Sequence, residues 1–326
     1  WTQQGPIVES NGQKVSTDIA GLARGFENLR TATLKHENPL PASEGNQLRR
    51  AACCLATDRG LGLDFWAPAE LLMLEDSHFN DLASVMTAAE AQLAPPTQAL
   101  LNLIALLTKP MGGDRPIALT CMFYVLWSGI RSPSIDPFEA KFVQFWDTAV
   151  KGSSALRATL ERRLFDELHT LEGDIAFALY WDLEKFYDSI KFRRLIALAI
   201  EVGYPINIFV MDLMFHMAPR ILKWNSWFSG TIGVSKGILA GSKRSNTFSR
   251  LMLYPIIAEM HKTIPKSIVS RLRLYVDDIS QNVYGKLAAV MKESAHLVRS
   301  LYTKLTSAEL IISPKSAAVC SDNAAL

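Results

Sequence analysis

The chain has 326 residues, 49% hydrophobic and 20% charged, long enough for about two domains and too apolar for a disordered segment. Its 34 Lys and Arg against 32 Asp and Glu leave a net charge of +2. That balance excludes an acidic tail and a highly basic architectural protein, so any nucleic acid must meet a local basic surface. Cys53, Cys54, Cys121 and Cys320 form no C-x-x-C pair, and no two of the six histidines stand at i,i+4. Neither a disulfide framework nor a zinc site is encoded, and reduced intracellular thiols are expected. The longest apolar run, Ala99 to Leu107, is broken by Asn102 and reaches about half the length of a membrane span. A soluble intracellular protein, nuclear or cytoplasmic, is the expectation. The chain opens on Trp1 with no charged-then-apolar leader, so it reads as a piece of a longer reading frame, with its targeting segment elsewhere.

Residues 1–66 are polar with weak periodicity, and 1–95 as a whole read as a mostly helical N-terminal extension. Within it, Pro68 followed by Leu71, Leu72, Leu74, Leu82, Val85 and Met86 predicts one or two helices, ended by Pro95 and Pro96. A short helix is expected over Thr97 to Leu106, then a hairpin whose tip is Gly112 and Gly113, flanked by Lys109 and Arg115. Ile175 to Trp181 is a continuous apolar run of strand length that stops at Asp182. Phe192, Leu195, Ile196, Ala199 and Ile200 mark one face of a helix closed by Gly203 and Pro205, and a further helix is expected over roughly 206–222. Trp227 to Val234 reads as a strand, Lys236 to Ser242 as a glycine-bearing loop, and Asn246 to Met260 as a helix. In Arg271 to Val276, Leu272, Leu274 and Val276 share one face, and the strand pattern resumes at Ile279 after Asp277 and Asp278. This is a hairpin with acids at its turn. Leu287 to Leu305 carries a last helical pattern, followed by short strands around 310–312 and 317–320, with Lys315 between them.

Asp182 and Asp277 lie 95 residues apart, yet both sit at strand ends. If those strands neighbour in one sheet, the carboxylates meet and form an oxygen-rich site for two hard divalent cations about 3.5 to 4 Å apart, a pair suited to activating a hydroxyl and steadying a leaving phosphate oxygen. Mg²⁺ is the natural choice, with Mn²⁺ as a substitute. Isolated Asp pairs are common in turns, so the weight falls on motifs in order. Tyr275-Val276-Asp277-Asp278 resembles the Tyr-x-Asp-Asp signature of reverse transcriptases, and Asp182 to Ile190 resembles their first metal-binding motif. Lys109 to Ile117 is similar to the family's basic fingers motif, Gly233 to Gly237 to its Gly-x-x-Gln-Gly loop, and Ala308 to Lys315 to its lysine-terminated motif. The chain thus resembles the reverse transcriptases of non-LTR (LINE-like) retrotransposons, related to group II intron enzymes. The resemblance covers about two thirds of the sequence, from 109 to 315.

The resemblance implies an α+β right-hand polymerase: fingers from 96–174, a palm from 175–326 with an antiparallel sheet backed by helices, and part of the fingers inserted between Asp182 and Lys236. With eleven residues following Lys315, no thumb is expected. It implies an RNA-directed DNA polymerase that extends a DNA primer on an RNA template from dNTPs. Asp182, Asp277 and Asp278 would hold the metals, with the Leu183 carbonyl beside them, and Lys315 would protonate pyrophosphate. Lys109 and Arg115 would hold the triphosphate, Tyr187 would exclude a 2′-hydroxyl, and Lys236 and Gly237 would approach the nascent pair. Arg157, Arg162, Arg163, Arg193, Arg194, Lys243, Arg244 and Arg250 are candidates to track phosphates. Lys236 stands where the family has Gln, and Gly241-Ser242 where it has Ser-Pro. Two alternatives stand beside this reading: a catalytically idle RNA-binding remnant of a retroelement, and an RNA-dependent RNA polymerase.

Overall fold

The computed structural model describes residues 9–10, 13–14, 19–35, 39–110 and 112–321. They divide into two compact units, one running up to Glu139 with Lys191–Ser245, the other comprising Ala140–Ile190 and Asn246 onward. The class is α+β: each unit carries a four-stranded sheet with helices. The borders expected at 95 and 174 fall inside these units rather than between them.

The first unit opens with the two-residue strands β1 (Glu9–Ser10) and β2 (Gln13–Lys14), then α1 (Ile19–Lys35), α2 (Gly45–Cys53), α3 (Pro68–Leu71) and α4 (Asp76–Ala91). A 3-10 turn at Thr97–Ala99 leads into β3 (Asn102–Thr108) and β4 (Asp114–Leu119), followed by α5 (Met122–Ile130) and α6 (Ser132–Phe142). A buried ion pair explains why the N-terminal helices do not form a separate body. Arg131, at the end of α5, is paired with Glu90 of α4 and donates to the Pro41 carbonyl at 2.7 Å and Ser43 Oγ at 2.9 Å. Trp127 Nε1 donates to the same Glu90 at 2.7 Å. Removing either charge would strand the other in a low-dielectric interior, at about 3 to 5 kcal/mol.

The helix expected over Thr97 to Leu106 is not present; all but its first turn is β3. Its apolar residues are those of a central strand, antiparallel to β4 and parallel to β6 (Arg220–Trp224), and periodicity alone does not separate such a strand from a buried helix. Asn102, the polar interruption, is buried and donates from Nδ2 to the Phe215 carbonyl at 2.7 Å. The helix expected over 206–222 likewise ends early. Pro219 forces Ala218 into extended backbone, ψ 147°, and β6 begins one residue later.

In the second unit α7 (Ala155–Leu171) precedes β5 (Ile175–Trp181) and the short α8 (Phe186–Ser189). Back in the first unit follow α9 (Phe192–Glu201), α10 (Ile206–Met217), β6 and β7 (Trp227–Phe228). Then α11 (Ser245–Lys262) leads to β8 (Val269–Tyr275), β9 (Asp278–Gly285), α12 (Leu287–Ser307) and β10 (Ala317–Cys320). The second sheet runs β10-β5-β9-β8, every pair antiparallel. Both faces of β5 are covered, which is why it is apolar throughout. Tyr180 meets Arg162 of α7, while Phe177, of opposite parity, lies in a pocket with Val290 and Met291 of α12. Leu272 and Leu274 of β8 are buried, as their alternation predicts.

Candidate active site

The register of the second sheet settles how its acids meet. Trp181 of β5 pairs with Ile279 of β9, and Tyr275 of β8 pairs with Asp278. Continuing the first ladder by one residue sets Asp182 opposite Asp278, on the same face. The β8–β9 turn is only Val276 and Asp277 long, so Asp277 is carried at the tip of the hairpin, next in sequence to the Asp182–Asp278 pair. Partial burial holds the Asp278 carboxyl above the ordinary carboxylate range, and the charge of Asp182 pushes it the same way. Asp277 is felt by a different neighbour: burial raises the Tyr187 phenol, and Asp277 adds to that rise against an opposing hydrogen bond from Ser249.

Backbone bonds from the strand segment before β10 pin the end of β5. Ser313 N–H donates to the Asp182 carbonyl at 2.8 Å, Glu184 N–H to the Ile311 carbonyl at 2.8 Å, and Asp182 N–H to Ser316 Oγ at 3.1 Å. Leu183 is buried and bridges Ile312. No pattern in the sequence marks Ser313 and Ser316 for this work. Lys185 then takes a left-handed turn, φ 47°, that starts α8 and delivers Tyr187, half-buried, with its hydroxyl 3.4 Å from Asn246 Oδ1. A cavity of about 290 Å³ adjoins the acids, with Asp182, Asp278, Arg162, Arg273, Tyr275 and Lys315 in its wall. β8 is held from outside by Asp147, whose Oδ2 accepts from Arg250 Nε at 2.7 Å and from the Tyr254 hydroxyl at 2.5 Å, while Thr148 N–H donates to the Leu274 carbonyl. The donor chemistry suits hard divalent cations: the carboxylates of Asp182 and Asp278 repel each other, a load that a cation between them relieves.

The other expected site residues belong to the first unit. Lys109 and Arg115 are exposed on the β3–β4 hairpin, where Arg115 stands opposite Leu107 and so shares a face with Lys109. Gly237 has φ 93°, a backbone region that favours glycine, and its carbonyl accepts from Arg220 Nη2. Lys236 beside it is exposed and bridges Lys191. A buried polar network under this loop goes unmarked in the sequence. Leu239 N–H donates to His216 Nδ1 at 3.0 Å, which leaves Nε2 to carry the proton toward Ser242 Oγ at 3.3 Å. Tyr124 hydroxyl donates to Asp212 Oδ1 at 2.9 Å, and Arg244 Nε lies 3.6 Å from Asp212 Oδ2. Burial pushes the Asp212 carboxyl up to about 7 against the pull of Arg244 and Tyr124. Burial and then the Arg220 charge lower His216 to about 3. Two of the cations expected to track phosphates are therefore spoken for: Arg244 is buried against Asp212, and Arg250 against Asp147.

No protein-family model matches the sequence, and no curated protein does. Among solved structures, the fold is similar to that of apo telomerase from Candida tropicalis truncated from its C-terminal domain, with a TM-score of 0.50 at 14% identity. The match covers 76% of this chain and 56% of that one, so this chain spans little more than half the length of its neighbour. The likeness is one of fold alone. No helix among the described residues is long and apolar enough to cross a membrane.

Proposed function

We propose that the chain is an RNA-directed DNA polymerase domain of the kind found in non-LTR retrotransposons and related to group II intron enzymes. The observation that carries this reading is the register that sets Asp182 opposite Asp278, with Asp277 in the turn beside them. In this reading Asp182, Asp277 and Asp278 hold two Mg²⁺ ions, or Mn²⁺ in their place, with the Leu183 carbonyl as a further oxygen donor. When bound, such ions neutralise phosphate charge and acidify a hydroxyl.

The reaction is attack of a primer 3′-hydroxyl oxygen on the α-phosphorus of a dNTP. The new P–O bond forms as the bond to the β-phosphate oxygen breaks, and pyrophosphate leaves. Tyr187, stiffened by its half-buried setting, occupies the space a 2′-hydroxyl would need. Lys315, in the wall of the acid-lined cavity, gives a proton to the departing oxygen. Lys109 and Arg115 bind phosphate oxygens, as a point cation and a fork. Gly237 brings bare backbone to the nascent pair, with Lys236 next to it. An RNA template and a DNA primer are the partners.

Primer extension on an RNA template with Mg²⁺ tests this. Asp277→Asn should reduce synthesis by at least about a hundredfold, as removal of a charge-stabilising group does elsewhere, with an unchanged melting temperature. Synthesis that persists in that variant refutes the metal assignment. Tyr187→Ala should raise ribonucleotide incorporation relative to deoxynucleotide; an unchanged ratio points instead to an RNA-making enzyme.

A further inference from the structure

Helix α7 is amphipathic the wrong way round. Its inward face is largely polar: Arg162 lies over the Tyr180 ring, Asp166 Oδ1 accepts from the Tyr284 hydroxyl at 2.8 Å, and His169 stacks on Tyr284, with Phe165 under the Arg271 guanidinium as its one large apolar residue. Its outward face carries Leu156, Leu160, Leu164, Leu168 and Leu171, exposed by 69, 60, 56, 47 and 85%. None of its residues is fully buried. Apolar contiguous faces of this kind mark interaction sites.

The order of residues along this face identifies the occupant. About Arg162 it is mirror-symmetric in shape and antisymmetric in charge: Leu160 and Leu164 lie two residues either side, Arg157 and Glu167 five, Leu156 and Leu168 six. We propose that α7 is a homodimerisation surface, on which a second copy of this chain packs its own α7 antiparallel about a two-fold axis at Arg162. Such an axis sets Leu156 against Leu168 and Leu160 against Leu164 of the second copy. It also brings Arg157 to Glu167 of that copy, a pair made twice. A parallel arrangement would oppose Arg157 to Arg157 and Glu167 to Glu167. The leucines at i+4 spacing form a ridge that fits the matching groove of an identical helix. Within one chain Arg157 is already held by Glu161 at 3.1 Å and Glu167 by Arg163 at 2.9 Å, so both are oriented before a partner arrives. One pair of helix faces lies near the lower size limit of about 1,000 Å² for specific interfaces, and the association is accordingly weak and reversible.

Sedimentation equilibrium of the 326-residue chain, from low to high micromolar concentration, tests the proposal. A reversible monomer–dimer equilibrium is expected, and Leu160→Glu with Leu164→Glu should abolish it while leaving the melting temperature unchanged, because both side chains are exposed. Arg157→Glu alone and Glu167→Arg alone should each weaken the dimer by about tenfold, and the two together should restore it. A chain that stays monomeric throughout, or a dimer indifferent to the leucine substitutions, overturns the proposal, whatever else that face then binds. Failure of the double charge reversal to restore the dimer overturns the antiparallel pairing.

Discussion

Asp212 in the first unit and Asp278 in the second both have carboxyls held above the ordinary range, but their neighbours act in opposite directions. Asp212 is fully buried; desolvation raises it, while Arg244 and the Tyr124 hydroxyl pull it back. Asp278 sits in a cavity wall, and its charged neighbour, Asp182, adds to the rise. The first arrangement is closed, its charge answered from within the protein. In the second the nearest charged neighbour is another carboxylate, with Arg162, Arg273 and Lys315 in the same cavity wall. The direction of a shift alone therefore does not distinguish the two settings; the sign of the neighbour's contribution does.

The largest expected effect tests the closed arrangement. Arg244→Met leaves Asp212 buried without its cation and should destabilise the fold by about 3 to 5 kcal/mol, read from denaturant unfolding. A loss under about 1 kcal/mol would show that Asp212 does not depend on Arg244, and the contrast between the two sites would fail.

A pH series sharpens the same point. Asp212 rises from 3.8 to about 7 on folding, so its contribution to stability is present below about pH 4 and lost as pH climbs through 7. His216 falls from 6.5 to about 3, so its contribution is present above about pH 6.5 and lost as pH drops. The two oppose each other between about pH 4 and 6.5. Asp212→Asn removes the first alone, and its melting temperature should climb more steeply with pH across that window than the parent's. Parallel curves would dissociate Asp212 from the pH response.

The smallest effect belongs to the open arrangement. Without divalent cations at neutral pH, Asp278→Asn should raise the melting temperature slightly, because a group whose carboxyl is raised in the fold opposes folding when ionised. On adding Mg²⁺ the parent should gain more thermal stability than the variant. Equal gains would remove Asp278 from the ligand set.

The elements of the second sheet are legible because their patterns are local. Ile175 to Trp181 is apolar without interruption, and Leu272 and Leu274 alternate with arginines. The convergence of Asp182 with Asp278 is a register relation, so it follows only once β5 and β9 are known to be neighbours. Thr97 to Leu106 misleads for the converse reason: its strand identity comes from pairing with Arg220–Lys223, more than a hundred residues away. Arg244 and Arg250 show their charge in the sequence, but not Asp212 and Asp147, which claim them. Over α7 the inward face is set by the sheet beneath, which offers Tyr180, Asn282 and Tyr284 rather than aliphatic carbons, so the leucines of that helix face outward.

Val276 stands at the first of two turn residues with φ 62°, where hairpins ordinarily place glycine. A branched side chain there costs about 1 to 3 kcal/mol, and the β8–β9 ladder on either side holds it in place. Glycine would relax the loop but let it rock. A sprung loop keeps Asp277 beside Tyr187 and Asp278 beside Asp182, so stiffness at this apex is what lets two adjacent acids address different neighbours.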